Sequence, residues 1–233
     1  MHFKVLDFPI VSYKEILDLQ HRIVQYKINN PAWDDFLITL EHRPVYTIGK
    51  HANFNNLKIG ESTLKTKDIE LIKSDRGGDI TYHCPGQLTL YTIVNLKNIK
   101  KSLKNFVNLL EDVIIEALND FSIKSYKLNN LHGVFTEHGK IASIGLACKR
   151  MVVYHGVSIN VNNDLEPFNW INPCGLKNIN MVNMKAILKQ NIEIAKVKKT
   201  LLNILKNKIK WDIEKFNYND LQAIIGYEKT LMA

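Results

Sequence analysis

The chain has 233 residues, 45% hydrophobic and 23% charged, with a formal net charge of +8. This balance fits one globular domain with a sizeable core and excludes disordered, collagenous and disulfide-scaffold classes. Its apolar runs break within a few residues, too short to span a bilayer, and the first twelve residues lack the pattern of a secretion signal.

A strand is expected at residues 3–8 and a helix at 13–28. In the helix, Ile16, Leu17, Leu19, Ile23 and Val24 form an apolar stripe behind Ser12 as N-cap. Strands follow at 35–40 and 45–48, around a turn at Arg43 and Pro44. Residues 53–67 read as a polar surface loop. Strands at 69–75 and 88–96 bracket a glycine-rich stretch. The spacing of Phe106, Leu109, Leu110, Val113, Ile114 and Leu118 predicts a helix over 103–121. Short strands are expected at 133–136, 141–148 and 152–161, two of them meeting at a His-Gly turn. A second long helix is expected over 184–209, with Lys196, Lys198, Lys199, Lys206 and Lys208 as its solvated face. Strands and helices do not alternate strictly. The expected fold class is therefore α/β of the α+β kind, a mixed β-sheet with packed helices. One domain is expected over 1–233, its part from about 184 onward helical.

Three stretches carry polar groups in unusual density. The first is Arg76-Gly77-Gly78-Asp79-Ile80-Thr81-Tyr82-His83-Cys84-Pro85-Gly86-Gln87. Its paired glycines suit a sharp bend or a close approach to a ligand, and it has neither the phosphate-loop nor the dinucleotide pattern. Taken alone it also fits a tight surface turn. The second runs from His138 through Lys140 to Leu146. Ser143 and Gly145 give this strand one small face against which a ligand chain can lie. Lys140 alone reads as a surface cation, one lysine among many. The third holds His155-Gly156-Val157-Ser158 and then Asn172-Pro173-Cys174-Gly175. Pro173 and Gly175 fit a thiol held on a bent, exposed loop.

The three cysteines cannot all pair within the chain, so free thiols in a reducing, cytoplasmic compartment are expected. Cys148 lies within a strand pattern, where a buried inert thiol is the default. His83 suits either substrate orientation or a buried hydrogen bond, and His155 is expected to shape a turn. No metal-ligand spacing is present, so no metal and no cofactor are expected.

In order and spacing, these blocks, with Glu41-His42-Arg43-Pro44-Val45-Tyr46-Thr47-Ile48-Gly49 before them, resemble the lipoyl (octanoyl) transferase family. The resemblance spans most of the chain and implies a fold related to the catalytic domain of biotin and lipoate protein ligases. It implies transfer of octanoyl from acyl carrier protein to a lysine of lipoyl domains, those of 2-oxoacid dehydrogenase complexes and the glycine cleavage H protein. It further implies a Cys–Lys pair, Cys174 with Lys140. The implied acyl-pocket residues are Arg76, Gly77, Gly78, Asp79, Ile80, Thr81, Tyr82 and His83, then Ser143, Ile144 and Gly145, then Gly156, Val157 and Ser158. Cys84 departs from the family, which usually has glycine there, and a positive φ at that position would strain a cysteine.

An ammonium beside a thiol favours the thiolate, so Lys140 would activate Cys174 for attack on a thioester. Exchange of one thioester for another needs no ATP. The rival on the same fold is an ATP-dependent lipoate or biotin ligase, distinguished by ATP dependence with free acid. A basic nucleic-acid-binding module has only the charge in its favour, so neither nucleic acid nor membrane is expected as partner. A monomer is expected.

Overall fold

The computed structural model describes residues 2–129, 131–172 and 179–227. Strand β1 (His2–Val11) buries Phe3, Val5, Leu6 and Val11. The chain then turns at Ser12 into α1 (Tyr13–Asn29), where Ile16, Leu19, Ile23 and Val24 recur at helical spacing on the buried face. Ser12 occupies the N-cap in an extended conformation, but its hydroxyl makes no capping bond. Next come β2 (Asp35–His42), β3 (Val45–Ile48), α2 (Glu61–Thr66), β4 (Glu70–Lys73), β5 (Ile80–His83) and β6 (Gln87–Asn95). Helix α3 (Leu103–Asp120) starts at Ser102, whose side chain accepts a hydrogen bond from Asn105 N at 3.2 Å. The remaining elements are β7 (Tyr126–Leu128), β8 (Leu131–Thr136), β9 (Gly139–Lys149), β10 (Val152–Asn160), α4 (Met184–Leu188), α5 (Ile194–Ile209), β11 (Asp212–Lys215) and α6 (Tyr218–Ile225).

Eight strands form one mixed sheet in the order β11-β1-β2-β6-β10-β9-β8-β7. Strand β1 runs parallel to β11 and β2, and the other neighbours are antiparallel. A smaller sheet, β4-β3-β5, stands apart. Helices α3 and α5 pack on one face of the large sheet through Phe106, Leu110, Ile114, Val197 and Leu201, and α1 and α6 cover the other. A third apolar cluster, including Tyr46, Tyr82 and Phe168, fills the space behind the small sheet. Between α1 and β2 the Lys27 ammonium, fully buried, lies 2.6 Å from Asp35 Oδ1 and also donates to the carbonyls of Trp33 and Asp34.

Several expectations need correction. Residues 53–67 hold a short 3-10 turn and α2. The helix expected over 184–209 is two helices, because Lys189 adopts φ 55° and the Asn162 side chain brackets the backbone of Ile192 with bonds of 2.7 and 2.9 Å. The C-terminal part is not wholly helical, since β11 joins the large sheet beside β1. Cys148 is exposed, because it sits next to the β9–β10 hairpin turn at Arg150 and Met151. His155 shapes no turn; it lies inside β10. Cys84 is not in the left-handed region, which is taken two residues later by Gly86 at φ 86°.

Candidate active site

A cavity with about 560 Å³ of empty space, solvent at its mouth included, opens between the large sheet and the small one. Of the residues singled out in the sequence, Arg76, Gly77, Gly78, Asp79, Ile80, Thr81 and His83 line it from the bend into β5. Lys140, Ser143, Ile144 and Gly145 line it from β9, and Gly156, Val157 and Ser158 from β10. Tyr82 is not brought to the cavity. Its neighbours in β5 point inward, while its ring packs on Tyr46 and Phe168 in the third cluster.

The floor is made by register. Gly156 pairs with Gly145 and Ser158 with Ser143, so small residues face each other across β9 and β10. A Cβ at Gly156 would come within 2.0 Å of the Leu90 carbonyl oxygen, so only glycine allows β10 to lie this close to β6. The wall is equally tight. Gly77 N donates to Leu146 O at 2.8 Å, and a Cβ on Gly145 would sit 3.0 Å from Gly77 O. Arg76 holds this bend in place: its guanidinium donates to Thr47 O at 2.6 Å and to Thr47 Oγ1 at 2.8 and 3.0 Å.

Lys140 is 2% exposed. Its stem crosses Gly133, where an added Cβ would lie 2.6 Å from Lys140 Cε, and its ammonium sits 5.6 Å from the Phe135 ring centroid. Its backbone is occupied too: Lys140 N donates to Asn180 O at 2.8 Å, and Val182 N donates to Lys140 O at 3.0 Å. Farther back along the chain, Asn172 N donates to Asn56 O at 2.8 Å, and the Asn56 side chain donates to Asp79. Cys174 lies outside the described residues, between these two anchored ends of the chain.

A layer of aromatic and imidazole groups closes the cavity from behind, of which sequence reading singled out His83 and missed Tyr13, His42 and Tyr91 as site residues. Tyr13 and Tyr91 line it. His42 Nδ1 donates to Val11 O, and its Nε2 accepts from the Tyr91 hydroxyl at 2.7 Å. Burial lowers His42 to about 4. His83 stacks on Tyr13 and donates from Nδ1 to Gln87 Oε1 at 2.7 Å. Burial, and next the neighbouring His42, push it well below the usual histidine range. Both rings are therefore neutral near pH 7. His42 was within reach of sequence reading, as it falls in the Glu41–Gly49 block; Tyr13 and Tyr91 gave no local signal.

His155 is buried in β10 at φ 61°, a region rarely entered by a residue with a side chain. The chain holds it there from two sides. Gln20 Oε1 accepts from its backbone N–H at 2.9 Å, and Asp75 Oδ1 accepts from its Nε2 at 2.8 Å. Burial alone would raise the Asp75 carboxyl, but hydrogen bonds from His155, His21 and Tyr154 outweigh it and hold Asp75 well below the usual carboxylate range. Cys84 lies behind β5, where burial pushes its thiol up to about 12 and keeps it protonated. Among the described residues no cluster of His, Cys, Asp and Glu is placed to hold a metal, and no helix is long and apolar enough to cross a membrane.

Chemically, the cavity offers apolar contact along Ile80, Ile144 and Val157, backbone approach at its glycines, and a cation at Lys140. Such a lining is chemically suited to a slim apolar chain, with a cation available at one place along it.

Residues 12–206 match the family model described as the lipoyl protein ligase A/B catalytic domain. An octanoyltransferase of Desulfotalea psychrophila is 38% identical over 203 residues, covering 86% of this chain and 91% of that protein. One from Dictyoglomus turgidum is 36% identical over 230 residues, covering 97% of each. Among solved structures, a lipoate-protein ligase A bound with ATP superposes with a TM-score of 0.74 at 13% identity, covering 97% of this chain and 92% of that one. The biotin protein ligase of Aquifex aeolicus in complex with biotin and ATP gives 0.54 at 13% identity, covering 89% and 70%. At these identities the likeness to solved structures shows a common fold.

Proposed function

The chain belongs to the octanoyltransferase family and is an acyltransferase, and from that premise we propose that it works through a thioester on Cys174. The donor is octanoyl-acyl carrier protein. The acceptor is a lysine of a lipoyl domain, as in 2-oxoacid dehydrogenase complexes and the glycine cleavage H protein. The octanoyl chain lies in the cavity against Gly77, Gly78, Ile80, Ile144, Gly156 and Val157, with its carbonyl toward Lys140.

The observation that carries this reading is the pairing of Lys140 with residues 180–182. Its N–H and carbonyl bond to Asn180 and Val182, which follow Cys174 in the chain. Cys174 lies six residues before Asn180 in the chain, which supports a partnership of its thiol with the Lys140 ammonium. A free thiol of pKa about 8.5 is mostly protonated at neutral pH, and a nearby ammonium favours the thiolate.

In the first half-reaction the Cys174 sulfur attacks the thioester carbonyl. The tetrahedral adduct collapses with cleavage of the bond to the carrier sulfur, which leaves as a thiol after taking the proton Cys174 gave up. In the second, the neutral amine of the acceptor lysine attacks the Cys174 thioester. The new amide forms, the C–S bond breaks, and the amine's proton passes by way of Lys140 to the cysteine sulfur. One thioester replaces another before the amide forms, so ATP has no role.

The test is intact mass after incubation with octanoyl-acyl carrier protein and no ATP. Wild type gains one octanoyl group that hydroxylamine removes, and Cys174→Ser gains none. Transfer only when ATP and free octanoate are supplied would replace this reading with that of a ligase.

A further inference from the structure

A second cavity lies on the other side of the wall that bounds the first. It holds about 1150 Å³ of empty space, solvent at its mouth included. Gly77, Gly78, Asp79, Ile144 and Gly145 line both cavities, so the partition is built from the bend before β5 and from β9. The second cavity takes its apolar lining from Leu103 and Val107 of α3, Leu131 of β8 and Leu146 of β9, with His51 and His132 as polar edges. Leu103 is left 39% exposed at its lip. The segment that leads into Leu103 is basic: Lys97, Lys100, Lys101 and Lys104 fall within eight residues, and Lys97, Lys100 and Lys104 are exposed.

We infer that this second cavity receives the pantetheine arm of the acyl donor, an inference that rests on the donor being an acyl carrier protein. A thioester substrate has two halves, an acyl chain and a thiol-bearing arm, which diverge from one carbonyl. Two cavities that share one wall suit such a molecule. The shared wall is also tied to the chain that follows β10: Asp79 accepts from Asn56, and Asn56 accepts from Asn172. The arm combines amides with a gem-dimethyl group and ends in a phosphodiester on an acidic protein. The apolar lining fits its body, and the lysines beside Leu103 fit its charged outer end. The competing occupant, the acceptor's lysine side chain, ends in a cation and has no anionic group for the lysines beside Leu103.

The experiment compares two small donors that lack the carrier protein. Octanoyl-pantetheine keeps the arm, and octanoyl-N-acetylcysteamine keeps only its last segment. Acyl-enzyme formation is followed by mass. Wild type should prefer octanoyl-pantetheine in kcat/KM. In Leu103→Glu, which places a carboxylate at an exposed lip position, that preference should fall about tenfold. Leu103→Trp, which narrows the lip without a charge, should lower it in the same sense. A preference unchanged in both variants overturns the inference. So does a variant that acylates normally but passes octanoyl to the lipoyl domain slowly, since the acceptor would then be the occupant. Wild type that accepts no thioester donor sinks the transferase reading itself, and this inference with it.

Discussion

Replacing Lys27 with methionine removes the ammonium from a fully buried ion pair while keeping most of the stem. Asp35 would lose a partner at 2.6 Å, and the carbonyls of Trp33 and Asp34 would lose donors at 2.5 and 3.0 Å. Asp35 would retain the Asn95 N–H at 2.9 Å. Stripping one partner from a buried pair costs about 3–5 kcal/mol, because the remaining charge has neither water nor counter-ion. That is a large part of the roughly 5–15 kcal/mol that holds a domain together. The pH dependence is specific. Burial pushes the Asp35 carboxyl above its ordinary value, and Lys27 opposes the rise. Without Lys27 the folded state holds the Asp35 proton still more tightly than the unfolded state does. Stability then falls as pH climbs through the window from the unfolded carboxyl value of about 3.9 up to the folded one. The loss should be greatest near neutral pH and shrink toward about pH 5 in urea-unfolding curves. Lys27→Met/Asp35→Leu should recover most of it, since a buried pair replaced by apolar groups is often neutral. A loss under about 1 kcal/mol at neutral pH, or an equal loss at both pH values, would refute the reasoning.

Lys140→Met keeps the stem over Gly133 and deletes the amine; acylation should slow by about 10²–10⁴-fold with a changed pH–rate profile, and an unchanged profile would remove Lys140 from the proton transfers. Gly156→Ala forces the Leu90 carbonyl away from β10. A melting curve should show a loss of about 1–3 kcal/mol or more, together with slower acyl-enzyme formation. In a Cys174→Ser background, alkylation of the native protein should label Cys148, while Cys84, buried and with its thiol raised to about 12, should react only in denaturant. Labelling of Cys84 in the native state would contradict its place behind β5.

What was legible in the sequence is what repeats within a short span. Helices α1 and α3 stood out because Ile16, Leu19 and Ile23, and Phe106, Leu110 and Val113, keep helical spacing, each helix against its own face of the large sheet. The cavity residues were legible as blocks, because glycines and small side chains had to fall together where backbones touch. Strand β5 was missed because its polar Thr81 and His83 face the cavity and look like a loop. The break between α4 and α5 was hidden because it is imposed by Asn162, a residue far away in sequence. Tyr91, and the Asp75 that fixes His155, gave no local signal either, since each acts only through partners that folding brings near.

The pairing of β1 with β11 ties residues 2–5 to residues 212–215. Strand β1 is therefore an inner strand only once a segment more than two hundred residues later has docked. Until then its outer edge shows bare N–H and carbonyl groups, the arrangement through which separate chains zip together. During synthesis this edge is open for most of the time the chain is being made, and its closure is a late event. Lys4, which pairs with Glu214 and Asp34, sits on that edge. A lone lysine there discourages pairing with another chain in the interval, so the same residue that secures the finished sheet also guards the unfinished one.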